Sequence, residues 1–258
     1  MALAPIGATP VDGPLADLQE PANLVSAADS MALPEPLPFD AVPDARLAQR
    51  KRPIPPALLA GYHWPLRKGR LTNPFGPTGW GDYLVDGEYV HDGIDLATFC
   101  GDRIVAAHDG VVLAAGRHFD HYTGWIGSLD AYFHRLDRKH LWQTLPIVVV
   151  VDDGNTYRSI YAHFGRIVVK RGQVVRAGQL LGFEGATGHA TGCHLHYGLY
   201  SPLETARFAL DADVAKRMRL PRAEIARIDP LLVLPERKVP KDTPTPAAEA
   251  PRTPETGS

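Results

Sequence analysis

The chain has 258 residues, with 27 Lys plus Arg against 29 Asp plus Glu and a formal net charge of −2. That size suits one good-sized domain with tails or two small ones, and the near-neutral balance excludes a nucleic-acid binder that works through bulk charge. The sequence has no run of about 18 apolar residues, so no transmembrane helix is expected.

In chain order, the first 44 residues carry seven acids and no Lys or Arg, and 11 of the 24 prolines fall in residues 1–60. Such a stretch buries too little apolar surface to offset the entropy of ordering it. Residues 1–57 are therefore expected to form a disordered, Pro-rich leader, with a short helix near 44–52. The first Arg is Arg46, so the numbering shows no basic-then-apolar signal segment. Next comes a glycine-rich middle, with 21 of 24 glycines between Gly61 and Gly198. Short apolar runs alternate there with Asp-Gly turns: Arg103–Ala107, Asp109-Gly110, Val111–Ala115, then Ile147–Val151, Asp153-Gly154-Asn155 and Tyr157–Tyr161. This is the pattern of an antiparallel all-β fold. Between them, Leu129, Tyr132, Phe133 and Leu136 recur at helical spacing, which predicts an amphipathic helix inserted at about 117–145. A second helix is expected near Asp211–Met218, and Pro221 with Glu224–Ile228 reads as a turn. The tail, 237–258, is again rich in Pro, Thr, Ala and Glu and is expected to be disordered.

Eleven histidines are present, and three of them, with one aspartate, stand in two patterned fragments. In His91-Asp92-Gly93-Ile94-Asp95, a strand would place His91 and Asp95 on one face with Gly93 between them. In His194-Leu195-His196, both imidazoles would share a face opposite Leu195. Two imidazoles and one carboxylate suit zinc, and three protein ligands leave a fourth position open, as in a catalytic site.

The loop Gly185-Ala186-Thr187-Gly188-His189-Ala190-Thr191-Gly192-Cys193-His194-Leu195-His196 resembles the signature loop of lysostaphin-like (LytM-type) peptidoglycan endopeptidases. His91 to Ala97 resembles that family's first ligand motif, and Tyr161-Ala162-His163-Phe164 its third. Further elements match at Trp64-Pro65, Asn73-Pro74-Phe75-Gly76, Ala106–Val112 and Gly172–Gln179. The resemblance runs from Tyr62 to Leu234 with every motif in order. It implies one zinc ion held by His91, Asp95 and His196, with His163 and His194 flanking the activated water. It further implies hydrolysis of peptide bonds in cell-wall stem peptides or cross-bridges. The expected fold is an antiparallel two-sheet sandwich or half-barrel of the duplicated hybrid motif type, with the peptidase domain spanning 58–236. Peptidoglycan peptide is the expected partner, with no nucleic acid, in an extracytoplasmic setting.

Several positions depart from the family pattern. Tyr197-Gly198 stands where Phe-Glu is common, Cys193 where Pro is common and Ala190 where Ser is common. The insertion is also longer than the usual connection. If the ligand segments converge as the resemblance implies, the two cysteines, Cys100 and Cys193, come together. A disulfide between them is predicted, closing a loop of roughly 90 residues worth ~4 kcal/mol in the chain-entropy model and consistent with an oxidising compartment. Two reduced thiols are the other reading. His189 and Tyr89, with Tyr83, are candidates for substrate contact, while His63, His108, His118, His121, His134 and His140 have no partner at metal spacing. Two other functions fit parts of the sequence: a non-catalytic relative that binds the wall or regulates a wall hydrolase, and a carrier domain built on Val168–Gly182 with Lys170.

Overall fold

The computed structural model describes residues 52–79, 83–117 and 121–237. Most of the expected leader, the helix expected near 44–52, the tail beyond 237, His118 and the basic residues Arg46, Arg50 and Lys51 lie outside the described residues. No described helix is long and apolar enough to cross a membrane.

The strands are β1 (Arg70–Asn73), β2 (Gly76–Pro77), β3 (Tyr83–Val85), β4 (Glu88–His91), β5 (Ile94–Ala97), β6 (Arg103–Val105), β7 (Gly110–Gly116) and β8 (Val148–Asp152). They continue with β9 (Arg158–Ala162), β10 (Phe164–Ile167), β11 (Val174–Val175), β12 (Leu180–Glu184), β13 (Leu195–Tyr200), β14 (Arg207–Leu210), β15 (Ala223–Ile225) and β16 (Arg227–Ile228). Among the described residues, two α-helices interrupt them: α1 (Asp130–Lys139) and α2 (Ala212–Met218).

The expected antiparallel all-β architecture is present, with its strands in three sheets. The main sheet runs β1-β5-β13-β9-β8-β7-β11, with β16 also paired to β13. A second sheet runs β10-β12-β6, and a third runs β15-β14-β3-β4-β2. Strand β8 is buried at every position, which is why its sequence is an unbroken valine run rather than an alternation. Val149 and Val151 pack into the large core with Ile94, Leu96, Tyr161, Phe164, Leu181, Leu195 and Tyr197. Val150 faces the other way, joining Leu113, Ile160, Tyr122 and Tyr200. The main sheet is thus covered on both faces.

The β8–β9 hairpin turns at Asp153–Thr156 as the Asp-Gly-Asn signal predicts. Asp109-Gly110, by contrast, does not join a hairpin: β6 pairs with β12, while β7 pairs with β8 and β11. The same turn chemistry here carries the chain from one sheet to another. Glu224–Ile228, read as a turn, instead supplies β15 and β16, whose short runs pair with β14 and β13.

Helix α1 forms where the 3.6-residue period placed it. Its first N–H groups meet the Ser128 hydroxyl, which accepts from the Asp130 N–H at 3.1 Å. Asp130 lies in the first turn and Arg138 and Lys139 in the last, each favourable to the helix dipole. His140, with φ +51°, closes it. Tyr132 and Leu136, one turn apart, pack against Trp125, Leu129, Leu145, Leu210 and Ala215. The insertion therefore has a small core of its own, shared with α2.

Candidate metal centre

Three strands deliver the site. In β13, His196 stands opposite Asp95 of β5 on one side and Ala162 of β9 on the other. His194 precedes β13 and bridges to Gly185. His163 follows β9. His91 ends β4, opposite Gly76 of β2 in the third sheet.

His91 and Asp95 do not share one strand, contrary to the reading of the motif as a single strand. Asp92 and Gly93 form a bend between β4 and β5, and the two strands belong to different sheets. The glycine is required by close approach: a Cβ at 93 would sit 2.6 Å from the Tyr197 carbonyl oxygen and 2.8 Å from the His196 ring. The room that Gly93 leaves is occupied by β13 itself, so the bend folds His91 back toward His196.

Three acceptor atoms meet at this corner. His91 Nε2 lies 3.0 Å from His196 Nδ1 and 3.2 Å from Asp95 Oδ1, and the latter two are 3.1 Å apart. The outer hydrogen bonds set the tautomers. His91 Nδ1 lies 2.9 Å from the Pro74 carbonyl; a carbonyl only accepts, so Nδ1 carries the proton and Nε2 presents a lone pair. His196 Nε2 lies 3.4 Å from Asp92 Oδ1, which leaves its Nδ1 pointing at the corner. Lone pairs crowded this closely repel unless a cation lies among them. Donors held at roughly 2.0–2.1 Å by a tetrahedral ion stand about 3.3 Å from one another, and this N,N,O set is one that zinc takes. The residues present fit zinc.

Asp92 is also within reach, since a carboxylate oxygen of Asp92 and ring nitrogens of His91 and His196 fall within 4.8 Å of one another. Its position differs from that of Asp95, however. Asp92 faces the Nε2 side of His196, and its second oxygen is 2.8 Å from Arg227 Nε.

The remaining two imidazoles are held by the same device. His163 Nδ1 donates to the Thr187 carbonyl at 2.8 Å and His194 Nδ1 to the Gly192 carbonyl at 2.9 Å. In its neutral form each would then present Nε2 as an acceptor. His194 Nε2 is 3.8 Å from Asp95 Oδ1, and the His163 ring centroid is 4.5 Å from that of His194 and 6.2 Å from that of His196. His163 has φ +67°, a conformation that costs a non-glycine residue strain. There the chain leaves β9 of the main sheet and enters β10 of the second, and the strained corner turns the ring into the cleft.

Electrostatics separate the roles. Burial lowers His163 to about 4, aided by the neighbouring His196, so it is neutral at pH 7. Burial also pushes His196 down, but Asp92 and Asp95, one at each ring nitrogen, outweigh it and raise that ring to about 10. The field that draws a proton to Nδ1 draws a metal cation there as well. Burial opposes the ionisation of Asp95, yet the adjoining imidazoles of His196 and His91 hold its carboxyl well below the usual range.

These groups open into a cavity of about 900 Å³, lined by the histidines and by His189, Thr191 and Gly192. Tyr83, Trp125, Tyr132, Leu210, Val214 and Met218 line it as well, so the insertion and α2 contribute to its shape. Tyr89 is 42% exposed and does not line the cavity, whereas Tyr83 and His189 do. Cys100 and Cys193 are joined by a disulfide, which excludes Cys193 as a metal ligand. His63, His121, His134 and His140 are exposed and His108 stacks on Tyr62, all outside the cavity lining. Asp92 and Arg227 were missed in the sequence, where Asp92 reads as filler within a motif and Arg227 as one more surface cation.

The sequence profile described as peptidase family M23 matches residues 138–207. That stretch holds His163, His194 and His196 but begins beyond His91 and Asp95. The chain is 32% identical over 137 residues to peptidoglycan DD-endopeptidase ShyA of Vibrio cholerae, covering 53% of this chain and 26% of that protein. It is 28% identical over 107 residues to glycyl-glycine endopeptidase ALE-1 of Staphylococcus capitis, covering 42% and 24%. The chain spans about a quarter of the length of the curated relatives it matches. Among solved structures, a zinc-containing peptidase from Vibrio cholerae aligns with TM-score 0.40 and 26% identity, covering 55% of this chain and 37% of that one.

Proposed function

We propose that the chain is a zinc endopeptidase hydrolysing peptide bonds in bacterial peptidoglycan, a reading supported by the match of the peptidase family M23 profile to residues 138–207. His91, Asp95 and His196 hold the ion in this reading, and His163 and His194 are the catalytic pair. The observation that carries it is the 3.0–3.2 Å triangle of acceptor atoms, with two further imidazoles beside it in one cavity. When bound there, zinc supplies the Lewis acidity that makes water a nucleophile at neutral pH and polarises the scissile carbonyl.

The chain's own groups move the protons. His163, neutral and tied through Nδ1 to Thr187, offers Nε2 to accept a proton from the attacking water. His163 then returns that proton to the leaving amine, while His194, oriented through Nδ1 by Gly192, would hydrogen-bond the developing oxyanion when its Nε2 carries a proton. The groove admits an extended peptide, and His189 and Tyr83 stand where they can touch it. Peptidoglycan lies outside the cytoplasm, and the disulfide supports an extracytoplasmic setting.

Intact sacculi incubated with the zinc-loaded protein should release soluble muropeptides, identified by mass spectrometry. Release should stop with a chelator and resume on adding zinc. His163→Ala should keep one zinc per chain while losing turnover by roughly 10²–10⁴-fold. A zinc-loaded protein that binds sacculi without releasing fragments would instead be a wall-binding or regulatory relative. The presence of all five side chains in one converged cluster favours the enzyme.

A further inference from the structure

Behind His196 lies a buried chain of charges that the proposed reaction does not use. Asp92 Oδ1 is 3.4 Å from His196 Nε2 and Asp92 Oδ2 is 2.8 Å from Arg227 Nε. Arg227 is 7% exposed, is ion-paired through a terminal nitrogen with Glu224, itself 1% exposed, and donates at 2.8 Å to the Thr123 carbonyl. Burying two carboxylates and a guanidinium is expensive unless each is paired, and the three are linked in series with one free end, on His196.

We propose that Asp92 and Arg227 are positioning residues for His196. Asp92, its Oδ1 3.4 Å from Nε2, draws the ring proton to that nitrogen, so the ring presents Nδ1 to the corner shared with His91 and Asp95. Arg227, anchored by Glu224 and Thr123, holds Asp92 through their ion pair at 2.8 Å. A carboxylate behind a ligating imidazole fixes its tautomer and raises its basicity, and loss of such a partner weakens metal affinity by about 10–100-fold. Asp92 is thereby a support for a ligand and not a fourth ligand. The assignment rests on the zinc site of the proposed function, but not on what that site cleaves.

The test is zinc affinity, measured by competition with a chromogenic chelator at one pH, on the full chain and on Asp92→Asn, Asp92→Ala and Arg227→Lys. Asp92→Asn keeps the shape and an acceptor, so it guards against failure to fold. About tenfold weaker binding is expected for Asp92→Asn and up to about 100-fold for Asp92→Ala. Arg227→Lys keeps one charge but loses the fork that holds two carboxylates, and should weaken binding less. Because Arg227 acts through Asp92, the double variant Asp92→Asn/Arg227→Lys should be no weaker than Asp92→Asn alone. Zinc affinity within twofold of the parent in both Asp92 variants overturns the proposal. So does a loss as large as that of Asp95→Ala, which would make Asp92 a ligand. Melting of the zinc-free proteins separates a merely structural role, which would shift the midpoint and leave affinity unchanged. Affinity is read without substrate, so absence of sacculus cleavage would sink the peptidase reading and leave this one standing.

Discussion

His163 is the residue at which backbone and chemistry are in tension. Its φ of +67° is unfavourable for a side chain with a Cβ, yet the corner between β9 and β10 demands it. Asn tolerates this region and β-branched residues do not. His163→Asn should therefore unfold within about 1 kcal/mol of the parent, while His163→Val should lose about 1–3 kcal/mol more; thermal or denaturant unfolding measures both. Neither should cleave. At this scale the five candidate residues could be picked out because each sits in a short motif whose residue types suit zinc and proton transfer. Asp92, Arg227 and Glu224 were not legible. Their role depends on Arg227 reaching across from β16 to a bend 135 positions earlier, a pairing that no local pattern encodes.

Among elements, α1 and the β8–β9 hairpin were readable because each rests on interactions within a few residues: an apolar stripe at 3.6 spacing, and a turn whose φ values suit Asp, Gly and Asn. What lies beneath the hairpin turn was not. Asp153 reads as turn punctuation, but its carboxyl is buried, accepting from the Tyr62 and Ser159 hydroxyls at 2.8 Å each. Burial raises it well above the usual carboxylate range, despite those hydrogen bonds. The folded protein thus binds this proton more tightly than the unfolded chain. The associated stability is present below the unfolded value near pH 4 and is lost as pH rises through the higher folded value. Asp153→Asn keeps the acceptor and removes the charge. Its stability should lack this decline, so its advantage over the parent should grow from pH 4 to pH 8 in denaturant titrations. An advantage that shrinks over that interval would show the carboxyl to be ionised in the fold. The turn at Asp109-Gly110 shows the limit of local signals, since the same residues that close a hairpin elsewhere here hand the chain to a different sheet.

For the molecule as a whole, the Cys100–Cys193 link spans 93 positions and ties the segment after β5 to the loop that carries His194. In the chain-entropy model, a loop of this length is worth about 4–5 kcal/mol. Cys100→Ser/Cys193→Ser should lose about that much in equilibrium unfolding. It should also lose activity beyond the stability effect, because residue 193 adjoins His194. The groove is a property of this scale too: its lining draws on the insertion and on α2, elements some 80 positions apart that share a small core.

The sequence by itself determined the antiparallel β character, the two helices and the zinc-type donor set, because periodicity, turn chemistry and ligand type are properties of short segments. Only the tertiary structure decided that His91 and Asp95 lie on different sheets and that a buried arginine stands behind His196. It alone decided, too, which elements share a cavity with the metal corner. Those facts depend on which strands pair and which faces bury one another, and that is settled by packing the whole chain around a common core.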